Sequence, residues 1–288
     1  MQQKKFATLL KTLFSQERND MRYIEIDELR KLQLDIMQTI HDFCTKNNIR
    51  YSISGGTLLG AVRHKGYIPW DDDIDCMMPR PDYEKFVATF NENNDSPLKV
   101  FSSYNDRNFF QPFAKVVNTK TRLLEHEDRS QPNLGVYVDI FPIDGLPNDE
   151  DEREQYWNMI AKKKNFSTVI YSKINEKEHG LKKIARKILF CLFRPFSANW
   201  YAKKLHRLGI KNSFEASKFV ANSIFGYHKK EQMPKSIFDD FVLLDFEDRK
   251  FSAVKDYNTY LSNLFGDYMQ LPPKEKQVSK HDFEVYWR

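Results

Sequence analysis

The sequence predicts an α+β fold built on a mixed sheet, and three observations carry that prediction. Short runs rich in β-branched or aromatic residues, separated by Gly, Pro, Asn or Asp, recur between residues 49 and 141. Apolar residues at helical spacing lie between some of these runs, and from Asn148 they become the dominant pattern. At 288 residues with 41% hydrophobic content, the chain is long enough to bury roughly three quarters of its unfolded surface.

In chain order, Leu29, Leu32, Ile36, Ile40 and Phe43 define an amphipathic helix that stops at the turn-forming Lys46 to Asn48. "IRYSIS" is a short strand, stopped by Gly55 and Gly56. "TLLGAV" then begins a helix whose first N–H groups face that turn. Arg63 to Asp72 is loop, and "IDCMM" is the next strand, closed by Pro79. Tyr83, Phe86, Val87 and Phe90 place a helix over Asp82 to Phe90, and "PLKVFS", "FAKVV", "TRLLE" and "VYVDIF" supply further strands. A helix follows Asn148, with acids at its start and Lys162 to Lys164 beyond, matching the helix dipole. Near the end, "FVLLDF" and "KFSAV" flank the turn "EDRK", and "YNTYLSNLF" is a helix ending at Gly266.

Charge is unevenly placed. Between Ala161 and Lys211, fourteen Lys or Arg stand against Glu176 and Glu178, giving +12; with a total of +5, the remainder carries −7. Within the basic segment, Leu181 to Phe196 reads as a helix with one apolar face and Lys182, Lys183, Arg186 and Lys187 opposite. Such a helix suits either packing on the core or peripheral contact with an anionic membrane. The acidic remainder argues against a broad nucleic-acid face. The sequence has no apolar run of membrane-spanning length and no secretory signal, so the expected location is cytoplasmic, at most against the inner face of the cell membrane. Cys44, Cys76 and Cys191 show no paired spacing and are expected to be buried thiols.

The chemistry concentrates in "GGTLLGAVRHKGYIPWDDDID", Gly55 to Asp75, where four aspartates fall within five residues. If "DIDCM" is a strand, Asp73 and Asp75 share one face, while Asp72 points away and is solvated or structural. Two bare carboxylates about 4 Å apart repel by roughly 4 kcal/mol. Either a bound cation or a shared proton would offset that, and for a cation all-oxygen, carboxylate-rich ligation suits Mg²⁺ or Mn²⁺. Asp139, interrupting the apolar strand of "GVYVDIFPIDG", needs a partner and completes a three-carboxylate set for one or two ions. Gly55 and Gly56 let backbone N–H groups approach donor phosphates, with Arg63 and Lys65 as positive partners. Asp144 is expected to cap the following turn.

These blocks, "SGGTLLGAVRHKGYIPWDDDIDCMMPRPDYEKF", "VYVDIFPIDGLP", "YLSNLFGDYMQLPP" and "HDFEVYW", resemble the LicD family of phosphocholine and polyol-phosphate transferases, which includes fukutin and the fukutin-related protein. The resemblance implies a nucleotidyltransferase-like core with a basic helical insertion. Its parts would be a polar segment at 1–22, the core at 23–157, the insertion at 158–222 and a completing part at 223–288. It implies that Gly55 and Gly56 hold the phosphates of a CDP-linked donor, that Asp73 and Asp75 bind the metal, and that Asp139 completes the site. Asp71 also falls on a motif position. The implied reaction moves phosphocholine from CDP-choline to a sugar hydroxyl of a surface glycan, lipopolysaccharide or teichoic acid, or of its lipid-linked precursor, releasing CMP. Transfer of ribitol or glycerol phosphate, or of a nucleotidyl group, is the alternative, and a non-catalytic membrane-associated scaffold is the alternative of another class. Tyr67, Trp70, Tyr257, Tyr260, Tyr268 and Trp287 are candidates to hold a quaternary ammonium.

Overall fold

The structure is a computed structural model that describes residues 22–94, 96–125, 131–171, 198–279 and 283–288. The polar segment 1–21, the basic helix expected over 181–196 and Cys191 lie outside the described residues.

Helix α1 (Ile26–Asn47) buries Leu29, Ile36, Met37, Ile40 and Phe43 on one face, and Asn48 ends it in the left-handed conformation at φ 51°. Strand β1 (Ser52–Ile53) and helix α2 (Gly55–Arg63) follow. After a loop come β2 (Asp75–Pro79) and α3 (Arg80–Thr89), which starts earlier than expected because Pro81 fits the first turn of a helix. Strands β3 (Leu98–Phe101), β4 (Ala114–Asn118), β5 (Thr121–Glu125) and β6 (Tyr137–Gly145) complete the first half. Helix α4 (Glu150–Tyr171) runs through residues 157 and 158.

These strands form a curled mixed sheet in the order β1-β2-β6-β4-β3, with β2 and β6 parallel and the other pairs antiparallel. Strand β6 sits at its centre with all nine residues buried. Its far end also pairs with β7 (Phe219–Ala221), which pairs in turn with β8 (Met233–Pro234). Helices α1 and α3 cover the β6 face that carries Val138 and Ile140, both fully buried. The hairpin β9 (Phe241–Phe246) and β10 (Arg249–Val254) turns at Glu247, φ 56°. Helix α6 (Tyr257–Phe265) is capped by Asp256, whose carboxylate accepts from the Thr259 N–H.

Three elements lacked a clear local signal. Helix α5 (Ala198–Gly209) and β7 are built on a second apolar cluster with Trp157, Ile160, Tyr201 and Leu205. Strand β11 (Phe283–Trp287) is fixed by pairing with β5, far away in sequence. Cys44 and Cys76 are free and buried, as expected. Among the described residues, no helix is long and apolar enough to cross a membrane.

Asp144 does not cap a turn. It lies inside β6, 1% exposed, and its carboxylate accepts from Arg80 Nε at 2.6 Å. The Pro-Ile-Asp-Gly stretch continues as strand because β2 on one side and β7 on the other satisfy its backbone.

Candidate metal and phosphate site

The glycine turn is tied to the start of β2 by two hydrogen bonds and to α6 by a third. The Ser54 N–H donates to the Asp75 carbonyl at 3.0 Å, and the Asp75 N–H donates to Thr57 Oγ1 at 2.8 Å. The Gly55 N–H donates to the Tyr260 hydroxyl at 3.3 Å, which brings α6 to the turn. Gly55 has φ +51°, a conformation that suits glycine. A Cβ on Gly55 would lie 3.4 Å from Asp75 Oδ2, and one on Gly56 only 2.6 Å from Asp71 Oδ2. The first turn of α2 therefore meets the aspartate run directly, and the absence of side chains permits that approach.

The carboxylates come together from two strands and a loop. In the parallel β2–β6 register Asp75 stands beside Asp139, and neighbouring strands lie about 4.8 Å apart. Asp71, Asp72 and Asp73 each place a carboxylate oxygen within 4.8 Å of the others. Desolvation pushes the Asp75 carboxyl well above the usual carboxylate range, and Asp73, Asp139 and Asp71 add to the rise by repulsion, with Lys115 opposing it. This is the response of carboxylates that repel one another out of bulk water. The donor set is all oxygen, fits a hard divalent cation, and is the charge that such a cation would relieve.

The route to this geometry differs from the sequence expectation. The strand begins at Asp75, so Asp73 reaches the cluster from the preceding loop and not by strand alternation. Asp72 is structural, as one of the two expectations had it, but its carboxylate does not point away from those of Asp71 and Asp73. It is 9% exposed, its carboxylate accepts from Ser279 Oγ at 2.6 Å, and its carbonyl accepts from Gln33 Nε2 at 2.8 Å. The loop is held from outside as well, by Arg30 Nη2 donating to the Asp71 carbonyl at 2.6 Å.

Asp139 has a partner that the sequence reading missed. Lys115 faces it across the antiparallel β4–β6 pair, with Nζ 2.6 Å from Asp139 Oδ1 and 3.4 Å from the Tyr137 ring centroid. The available signal was a lysine in the apolar run "FAKVV", which overlaps β4 (Ala114–Asn118), a strand buried throughout.

Arg63 and Lys65 are not brought to the carboxylates. Arg63 Nη1 donates to the Tyr268 carbonyl at 2.8 Å and the Gln270 carbonyl at 3.2 Å, so it holds the C-terminal segment against α2. Lys65 is exposed at a left-handed turn, φ 62°, and its carbonyl accepts from the Glu247 N–H. Among the described residues neither forms an ion pair with an aspartate. Of the aromatic candidates, Tyr260 touches the glycine turn, whereas Tyr67 is buried on Gln33 and Trp287 stacks with Arg22. Tyr227, which carried no sequence signal, is exposed overall, while desolvation at its hydroxyl end raises the pKa first and Asp75, Glu231, Asp73 and Asp71 add to the rise.

Comparison with known proteins adds a family to this geometry. Residues 48–177 match the family described as LicD/FKTN/FKRP, nucleotidyltransferase domain. The chain is 32% identical over 279 residues to lipopolysaccharide cholinephosphotransferase LicD of Haemophilus influenzae, covering 92% of this chain and 99% of that protein. Shorter matches join it to uncharacterized proteins of Rickettsia typhi, 57% identical over 51 residues, and Rickettsia prowazekii, 62% identical over 40 residues. Those two cover 17% and 14% of this chain, and 16% and 15% of the respective relatives.

Proposed function

The chain belongs to the LicD family, and from that premise we propose that it transfers phosphocholine from CDP-choline to a sugar hydroxyl of a lipopolysaccharide or related surface glycan, releasing CMP. The observation that carries this reading is the meeting of the Gly55–Gly56 turn with Asp71 and Asp75 beside Asp139, in a chain similar along nearly its whole length to a cholinephosphotransferase.

Phosphoryl transfer asks the protein chiefly to align two oxygens and to cancel charge. The N–H groups of α2 that follow Gly55 would meet the donor's diphosphate, since the Gly55 N–H is taken by the Tyr260 hydroxyl and the glycines carry no side chain to cover the others. Asp73 and Asp75 would hold Mg²⁺ or Mn²⁺, which neutralises that diphosphate when bound. The acceptor oxygen bonds to the phosphorus that carries choline, the bond from that phosphorus to the CMP oxygen breaks, and CMP departs. Asp139 orients the attacking hydroxyl and takes its proton. Tyr227 and Tyr260 offer aromatic faces to the quaternary ammonium from the side of the glycine turn. Arg63 Nη1 is held on two backbone carbonyls, and Arg63 and Lys65 remain the positive partners proposed for the donor phosphates.

The test is thermal protection together with CMP release. CDP-choline, CDP-ribitol, CDP-glycerol and CTP are each added with Mg²⁺ or Mn²⁺. CDP-choline should raise the melting temperature most, since a ligand at 100 times its Kd stabilises the native state by about 2.7 kcal/mol. Protection by CDP-ribitol or CDP-glycerol instead would move the assignment to a polyol donor. Protection by none of the four would overturn it.

A further inference from the structure

We propose that Lys115 is a built-in cation of the acidic site, standing in for a second divalent ion, so that each chain holds one such ion. The inference rests on the metal-dependent reading above and deepens it. Lys115 is a positioning residue: it acts on the site through Asp139.

Three features of Lys115 support this. Its place is set by backbone register, because Lys115 and Asp139 are direct partners across the β4–β6 ladder. Its ammonium is only 2.6 Å from Asp139 Oδ1, and both residues are buried, at 4% and 8% exposure. The same Nζ lies 3.4 Å from the Tyr137 ring centroid and 5.4 Å from that of Phe113, so aromatic faces hold the cation on two further sides. An ion entering between Lys115 and Asp139 would leave a buried ammonium without its anion, an arrangement that proteins avoid. It would also meet a like charge at short range in a medium that screens poorly.

The experiment is a Mn²⁺ titration of the donor-free protein, with free Mn²⁺ read by electron paramagnetic resonance, so no step depends on turnover. Wild type and Lys115→Arg should bind one ion per chain. Lys115→Met exposes Asp139 to cations and should gain a second ion, held at least tenfold tighter than any second ion in the wild type. The double variant Lys115→Met/Asp139→Asn removes both charges together, which keeps the buried pair neutral if the single variant fails to fold. It should return to one ion at near wild-type affinity. Two ions in the wild type would overturn the inference alone and leave the proposed transfer standing. Loss of the ion from the double variant would also overturn it, because Asp139 would then be a ligand. No binding by the wild type would remove the metal-dependent reading and this inference with it.

Discussion

Two groups of buried charge sit five residues apart along β6 and along the run from β2 into α3. Asp75 and Asp139 mark one, and Arg80 and Asp144 mark the other. Five is odd, so along β6 Asp139 and Asp144 point to opposite faces of the sheet. On one face carboxylates crowd together, and desolvation first, then repulsion from Asp73, Asp139 and Asp71, push the Asp75 carboxyl pKa far up. On the other, charge is matched. Arg80 Nε bonds Asp144 at 2.6 Å, its Nη1 bonds Glu84 at 3.0 Å and lies 3.2 Å from His206 Nε2 of α5. Burial works against the Arg80 charge, yet Asp144 more than restores it. Gly209 closes the group, since a Cβ there would lie 2.3 Å from Asp144 Oδ2. A group in which opposite charges meet can hold α5 to the core without help, while carboxylates crowded out of bulk water are the kind of group that a cation relieves. The comparison separates a clasp from a binding site by charge balance, since both are buried and both contain aspartate.

The largest effect should come from unbalancing the clasp. Asp144→Ala leaves the Arg80 guanidinium buried without its anion, and should lower unfolding free energy by about 3–5 kcal/mol. A urea denaturation midpoint measures it. Replacing both as Arg80→Met/Asp144→Leu should recover most of the loss, and failure to recover would mean that shape, not charge, holds this region. The acidic group should respond in the opposite way. Asp75→Asn relieves repulsion, so the donor-free protein should be no less stable, while CMP release falls on the order of 100- to 1000-fold. A variant that loses stability with little change in turnover would reverse the roles assigned to the two groups.

How much of this was legible in the sequence depends on the range of the forces involved. Helices α1, α2 and α6, and the strands around Gly55 and Asp139, were visible because their apolar spacing and their turn residues are local. Asp73 and Asp75 stood out as a pair, though Asp73 arrives by a loop and not by strand pleat. The clasp was not legible. Nothing near Asp144 in the chain reveals that Arg80 will stand beside it, since only the parallel β2–β6 register brings them together. Lys115 was hidden for the same reason, although an ammonium among "AKVVN", every residue of which is buried, is a local signal that a partner must exist. Arg63 shows the converse limit. Its charge suggested phosphate, but its geometry is decided by carbonyls more than two hundred residues away.

Glu231 offers a third case, a buried carboxylate neither clustered nor ion-paired among the described residues. It is 4% exposed, desolvation raises its pKa to about 7, and the Tyr227 N–H at 3.1 Å and Lys164 pull only partly the other way. Its folded pKa lies above its unfolded one, so between pH 4.5 and 7 the native state binds more protons and stability falls as pH rises. Across that window the loss approaches about 3 kcal/mol. Glu231→Gln should flatten that part of the stability curve, measured by denaturation at a series of pH values. An unchanged slope would place the titration elsewhere.

The finest test of the acidic group is a methyl group on the glycine turn. Gly55 and Gly56 are adjacent, yet alanine should act on them by different routes. At Gly55 the φ of +51° makes any side chain strained, and Gly55→Ala should cost about 1–2 kcal/mol of stability. At Gly56 the backbone lies in α2, where alanine is preferred and should stabilise by about 0.4–1 kcal/mol. The new Cβ would be 2.6 Å from Asp71 Oδ2, so the Asp71 carboxylate must swing aside. If Asp71 belongs to the acidic group that holds the ion, Gly56→Ala should bind Mn²⁺ on the order of 10-fold more weakly while melting at the same or a higher temperature. Stability and affinity would then move in opposite directions in one variant, which no general loosening of the fold produces. Wild-type affinity in Gly56→Ala would take Asp71 out of the site and leave Asp73 and Asp75 to hold the ion.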